Sequence, residues 1–279
     1  MNVCGKPQGN FGRTPLHRAA GLGNAEEVDL ILARDDRLDT PVVKRGQPAP
    51  NALKLELQFC FLGECSKNEP KTLNEQFVKK SVLINVCDND GRTPLHYASA
   101  NSHEETVKHL IKRCADVNAS DHYKKTSLGR ACEKGDFGIS RLLIENGADC
   151  GKSDIFGCTP LHSACFGGFF EIVKLVVARN TDINVMDLNR NTPLHRAADG
   201  GHVNIINFLL SNVEGVNMEA RNAHGRTPLL VACLHGHISA VEYLLKSGAD
   251  IHAVDNEGNC PLHVDAGASV LRNTSSQLY

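Results

Sequence analysis

Apolar side chains along this chain fall into short stripes at spacings of three and four residues. Ile172, Val173, Leu175 and Val176 make one stripe, and Ala240, Val241, Tyr243 and Leu244 another. Each predicts one buried face of a short helix. Ahead of each stripe sits a seven-residue motif: TPLHRAA at Thr14, TPLHYAS at Thr93, TSLGRAC at Thr126, TPLHSAC at Thr159, TPLHRAA at Thr192, TPLLVAC at Thr227 and CPLHVDA at Cys260. From Thr93 onward the steps between these positions are 33, 33, 33, 35 and 33 residues. A fixed period of that size predicts a stacked solenoid, so function is expected on a surface and not in a single globular core.

The motif accounts for its own helix. Thr is suited to cap the N-terminus through its hydroxyl, and Pro fits the first helical position, where a missing donor costs nothing. The small pair that follows, such as Ala19 with Ala20 or Ala197 with Ala198, lets neighbouring units approach closely. Gly23, Gly135, Gly168, Gly201 and Gly236, nine residues after each Thr, are expected to end the inner helix. After the second stripe, Gly147 and Gly248 supply another C-cap, a role open to Asn180 and costly for Cys114.

These units resemble ankyrin repeats: a Gly, TPLH, a small pair, an apolar helix and a GADVN-like turn. The implied fold class is an all-α repeat solenoid of paired antiparallel helices with β-turn fingers. The units read as 9–41 after a lead at 1–8, then 88–120, 121–153, 154–186, 187–221 and 222–254, with a partial repeat and tail at 255–279.

Thr14 and Thr93 stand 79 residues apart. Stepping back one period from Thr93 reaches Cys60, where CFLGECS overlays TPLHYAS, with Leu62 on Leu95 and Cys65 on Ala98. This supports a degenerate repeat at 55–87 after an insertion at 42–54. The rival is a single excursion in which Leu53, Leu55, Leu57, Phe59 and Phe61 alternate along a strand; Pro70 and Glu69, where a Gly is expected, favour that rival.

Composition narrows the function. Thirty Lys and Arg against 32 Asp and Glu give a net charge of −2, without a basic run, so nucleic acid is not an expected partner. No stretch approaches the roughly 18 apolar residues of a membrane span, and no signal-peptide pattern follows Met1, so an intracellular chain, cytoplasmic or nuclear, is expected. Eleven cysteines fall largely where a unit wants a small apolar side chain, as at Cys132, Cys165 and Cys233. Neither disulfides nor a metal set is expected, since Cys60 with Cys65 and His235 with His237 supply no four-ligand group.

His17, His96, His162, His195 and His263 recur at one place in each unit. A catalytic His occurs once, beside a nucleophile and an orienting acid, so the repetition points to a shared structural hydrogen bond. No phosphate-binding Gly loop or nucleophile elbow is present. The chain is expected to be non-catalytic, with no cofactor and no small-molecule substrate.

The resemblance implies that partners bind a concave surface built from finger residues four, three and one before each Thr and from inner-helix residues seven and eight after it. Read onto this sequence, it places Tyr123, Ile155, Phe156, Phe166 and Leu188 on three adjacent units, with Lys125, Lys134 and Asp199 at the rim. Contiguous apolar anchors with a charged rim have the make-up of an interface hot spot; the alternative is that some fold down and pack the stack. Lys124 and Arg190 replace the finger Gly seen at Gly12, Gly91, Gly157, Gly225 and Gly258, which demands positive φ or another turn shape. Leu110, Asp116, Val117 and Asn118 resemble the pattern read by the asparaginyl hydroxylase of ankyrin repeats; the plainer role for Asn118 is a turn hydrogen bond.

The expected function is a protein-binding scaffold or adaptor. The alternative is a substrate-recognition or autoinhibitory region of a larger enzyme or ubiquitin-ligase adaptor, to which termini lacking polar caps also point.

Overall fold

The computed structural model describes residues 12–35 and 83–261. The expected insertion at 42–54, most of the degenerate repeat at 55–87, His263 and the two ends lie outside the described residues.

Twelve helices and no strand are present among the described residues. The inner helices are α1 (Pro15–Gly21), α3 (Pro94–Ala100), α5 (Ser127–Lys134), α7 (Pro160–Gly167), α9 (Pro193–Asp199) and α11 (Pro228–Leu234). Their outer partners are α2 (Ala25–Asp35), α4 (Glu104–Lys112), α6 (Phe137–Glu145), α8 (Phe170–Val177), α10 (Val203–Asn212) and α12 (Ile238–Lys246). Inner helices pack on inner helices and outer on outer, giving two rows joined within each pair.

The small pairs set the spacing between layers. Ala19 and Ala20, Ala131 and Cys132, Ala164 and Cys165, Ala197 and Ala198, and Ala232 and Cys233 are all buried. The outer row adds larger side chains, among them Leu110, Leu143, Ile172, Ile205 and Leu209, to the same continuous core. Each such side chain gains about 1.5–3 kcal/mol on burial.

The connections need left-handed backbone, and the chain does not always supply Gly for it. Gly168 turns α7 into α8 with φ +77, while Ser102 adopts φ +60 at the matching place between α3 and α4. After the outer helices, Asn180 takes φ +54 and Cys114 takes φ +65. A side chain at such a position costs roughly 1–2 kcal/mol relative to a right-handed one; the turn is kept and the cost is borne locally.

The first unit lies directly against the unit at 88–120. Helix α1 packs on α3, α2 packs on α4, and Asn101 Nδ2 donates to the Gly21 carbonyl at 2.8 Å. Asp29 meets His109 and Arg113 across the outer row at 2.9 and 3.0 Å. Ile84 is buried and Asn85 accepts from Asp116 N at 2.8 Å, so 83–87 serves as the closing turn of the first unit. No layer stands between these two units.

This arrangement makes a direct prediction. Thr14 and Thr93 are separated by 46 residues more than one 33-residue period. Joining Arg34 to Ser81 removes that excess, and the shortened chain should unfold in one cooperative urea transition with helicity per residue at or above that of the full chain. A broadened transition, or one in which residues 12–34 are already unfolded in water, would show that the excised segment supports the stack.

Candidate partner-binding surface

Each finger is built around one carboxylate or amide five residues before its Thr. Asp88, Asp121, Asp154, Asp187, Asn222 and Asp255 hold this place. Asp121 Oδ1 accepts from the backbone N–H of Tyr123 and Lys125, both at 2.9 Å, and Asp154 does the same for Phe156 and Cys158. The second oxygen is met from the inner helix nine residues on: Tyr97 donates to Asp88 at 2.6 Å, Arg196 to Asp187 at 2.6 Å, and Arg130 pairs with Asp121. Burial works against ionisation of Asp187, but its bonds from Asn191 and Arg196 outweigh burial and hold its pKa low. Sequence reasoning passed over this set, whose signal was an Asp or Asn recurring at the repeat period.

Neighbouring fingers are joined tip to tip. His122 N donates to Asp90 O, Ile155 N to Tyr123 O and Leu188 N to Phe156 O, each at 2.9 Å; Ala223 N reaches Asn189 O at 2.8 Å. Tyr123 with Ile155, and Phe156 with Leu188, are thus hydrogen-bonded pairs on adjacent fingers.

The recurrent histidines join the fingers to the helices. His96 Nε2 lies 3.0 Å from Lys125 O, His162 Nε2 3.0 Å from Asn191 O, His195 Nε2 3.0 Å from Arg226 O, and His17 Nε2 2.8 Å from Arg92 O. Facing a carbonyl, Nε2 must carry the proton. Nδ1 then accepts from the N–H and hydroxyl of the capping Thr, at 3.1 and 2.8 Å for Thr93. Where the His is absent, Thr caps in the ordinary way: Thr126 Oγ1 accepts from Gly129 N at 3.1 Å. The finger at 154–158 follows that unit, so it is the one among those from 88 to 226 that lacks a His bond to its last carbonyl.

The five apolar residues expected at the surface are exposed: Tyr123 by 49%, Ile155 by 38%, Phe156 by 62%, Phe166 by 53% and Leu188 by 72%. Phe156, Phe166 and Leu188 are more than half exposed, whereas Tyr123 and Ile155 are partly covered. The charged rim divides. Lys125 is held by Glu133 at 3.1 Å and Asp154 at 3.7 Å. Asp199 is held by His235 at 2.7 Å and Arg196 at 3.6 Å. Lys134 is exposed and makes no ion pair among the described residues. Lys124 and Arg190 keep the finger turn and adopt φ +55 and +59.

Asn118 lies away from the fingers, in the closing turn. Its Nδ2 donates to Gly147 O at 2.9 Å and its Oδ1 accepts from Asp149 N at 2.8 Å. Asn184 repeats this with Gly215 and Asn217.

The buried thiols are poor nucleophiles. Burial pushes Cys132 up to about 12 and Cys233 up to about 11, and raises Cys165 as well. Among the described residues no group of three or more His, Cys, Asp or Glu is placed to hold a metal. No helix among them is long and apolar enough to cross a membrane.

Paired-helix layers with protruding, hydrogen-bonded fingers define a repeat solenoid of the interaction-module class. A family model for three copies of the ankyrin repeat matches residues 62–154 and 128–222, and a single-repeat model matches 224–256. These spans cover well over half of the sequence, and the chain belongs to the ankyrin repeat family. The first match begins inside the segment 55–87.

Two curated proteins of Arabidopsis thaliana are similar over short stretches. The E3 ubiquitin-protein ligase KEG is 42% identical over 55 residues, which are 20% of this chain and 3% of that protein. The serine/threonine-protein kinase VIK is 49% identical over 51 residues, 18% of this chain and 12% of that protein. The matches therefore span a small fraction of either relative. The crystal structure of the human ASB11 ankyrin repeat domain superposes with a TM-score of 0.67 at 20% identity, covering 93% of this chain and 97% of that one. At that identity the likeness is one of fold.

The histidine bonds predict a pH dependence of stability. Burial lowers His96 from the ordinary 6.5 to about 4, and lowers His17, His162 and His195 too. The folded state then binds fewer protons than the unfolded chain, so this stability is complete above pH 6.5 and lost as pH falls toward 4. For His96 the shift corresponds to about 3 kcal/mol. Urea midpoints should fall steeply between pH 7 and 5, less so in His96→Asn; midpoints level across that range would contradict the assignment.

Gly129 offers the converse test. A Cβ there meets Lys125 Cγ at 3.5 Å and Thr126 Oγ1 at 3.6 Å, ordinary contacts. Gly129→Ala should stabilise by about 1 kcal/mol from helix propensity. Gly129→His should exceed it by bonding Cys158 O; equal urea midpoints for the two variants would show that no such bond forms.

Proposed function

We propose that this chain is a non-catalytic scaffold that binds a protein partner on its finger and inner-helix surface, with Tyr123, Ile155, Phe156, Phe166 and Leu188 as anchors. The observation that carries this is their exposure on hydrogen-bonded neighbouring fingers and on α7. Large apolar side chains in one patch are costly to leave in water, and burying them against a partner recovers that cost. Lys134 serves at the rim. Lys125 and Asp199 contribute through the ion pairs that fix the surface around them.

The test is affinity capture with mass spectrometry from the native cell, comparing the wild-type chain with Tyr123→Ala, Phe156→Ala, Phe166→Ala of matched helicity. Loss of a partner from the folded variant is expected, with affinity falling at least a hundredfold for about 3 kcal/mol of anchor burial. Identical partner sets would retire this surface.

A second reading is favoured by the two curated relatives, a ligase and a kinase that match this chain over short stretches. In it, the repeats direct substrate to, or restrain, an enzyme encoded in the same transcript. An in-frame continuation beyond Tyr279 or upstream of Met1 carrying such a domain is the expected observation; a stop codon on both sides removes this reading.

Asn118 is retained as a candidate for oxygen addition. Its two bonds to the next repeat must open first, so peptide mass analysis of native protein should find modification enriched in destabilised variants. Unmodified Asn118 in every sample would remove the candidate.

A further inference from the structure

The apolar patch is edged by exposed cations that make no ion pair. Lys124, Lys134 and Arg190 are exposed, and none of them makes a side-chain ion pair or hydrogen bond among the described residues. The carboxylates nearby are already engaged: Glu133 and Asp154 by Lys125, Asp121 by Arg130, Asp187 by Arg196, and Asp199 by Arg196 and His235. A recess at the base of these fingers is lined by Lys124, Lys125 and Lys152, with Asp154 its one carboxylate. Lys124, Lys125, Arg130, Lys134, Lys152, Arg190 and Arg196, seven cations, exceed the five carboxylates by two, so the surface around Tyr123, Phe156 and Leu188 is mildly cationic although the whole chain carries a net charge of −2.

Two of these cations occupy positions that oppose them. Lys124 and Arg190 hold φ +55 and +59, where the corresponding residues are Gly91, Gly157, Gly225 and Gly258. Glycine enters that region without a Cβ clash, whereas Lys and Arg do not. The two strained fingers flank the finger at 154–158 on either side, and that finger carries the aromatic anchor Phe156. Backbone strain of this kind, tolerated at both borders of one apolar patch, fits a binding role for the side chains it displays.

We infer that the partner presents an acidic peptide segment bearing bulky apolar side chains. Its apolar groups would bury against Tyr123, Ile155, Phe156, Phe166 and Leu188, and its carboxylates would face Lys124, Lys134 and Arg190. Nucleic acid fits less well: three separated cations make too few phosphate contacts, and Ile155 and Leu188 offer no ring for a base to stack on. This inference rests on the apolar patch being the partner surface, and the experiment separates the two claims.

The full chain would be immobilised and panned against a random dodecapeptide phage library, in parallel with Phe156→Ala, Phe166→Ala and with Lys124→Glu, Lys134→Glu, Arg190→Glu. Wild type should enrich peptides in which Asp and Glu flank Leu, Phe or Trp. The charge-reversed variant should bind those peptides about tenfold more weakly, as expected for three rim ion pairs. Selected apolar peptides that need Phe156 but show no acidic bias overturn the acidic inference and leave the apolar surface standing. Selected peptides indifferent to Phe156 and Phe166 overturn both. Lys124→Gly, Arg190→Gly controls for folding: its melting temperature should equal or exceed wild type while acidic-peptide binding drops, and unchanged binding would overturn the role given to these two cations.

Discussion

One contact recurs between layers in four of the six described units: an imidazole that accepts from its own capping Thr and donates to the last carbonyl of the neighbouring finger. His17, His96, His162 and His195 all make it. The bond requires the neutral ring, which burial enforces, in the Nε2–H tautomer, which the facing carbonyl selects. Because the same ring starts a helix and fixes a finger, helix formation and surface geometry are coupled in one residue. The buried finger carboxylates extend the coupling, since Asp121 and Asp187 tie the finger backbone to arginines on the inner helices.

The surface follows from that frame. Finger tips linked by backbone hydrogen bonds are held at a fixed spacing, and Tyr123, Ile155, Phe156 and Leu188 stand exposed on successive tips. Rigid presentation lowers the entropy that binding must overcome. The unit at 121–153 departs from the rule by carrying Gly129 in place of His, and the finger it fails to bond is the one bearing Phe156. There the links to Tyr123 and Leu188, with the Lys125 to Asp154 ion pair, supply the remaining restraint.

Much of the fold was legible because the determinants are local. A capping Thr, a Pro at the first helical position and a small pair specify an inner helix wherever they occur, and their period specifies stacking. Exposure at Tyr123 and Phe156 was legible through the family pattern. Which charges are engaged was not: Lys125 and Lys134 read alike in sequence, and only distance separates the paired one from the free one. Lys124 and Arg190 were visible as departures from Gly, but whether the turn or the side chain would yield is decided by the hydrogen bonds of the whole finger. Periodicity also says nothing of which unit the one at 9–41 lies against; the packing of α1 on α3 and α2 on α4 does.

Hydrogen exchange at the finger amides tests this account most directly, in wild type and in His162→Ala. If the imidazole holds finger to helix, the amides of Leu188, Arg190 and Asn191 are protected in wild type and exchange faster in the variant, while His122 and Asn256, two fingers away, keep their wild-type rates. Finger amides that exchange freely in wild type, or a His162→Ala effect confined to α7, would contradict it.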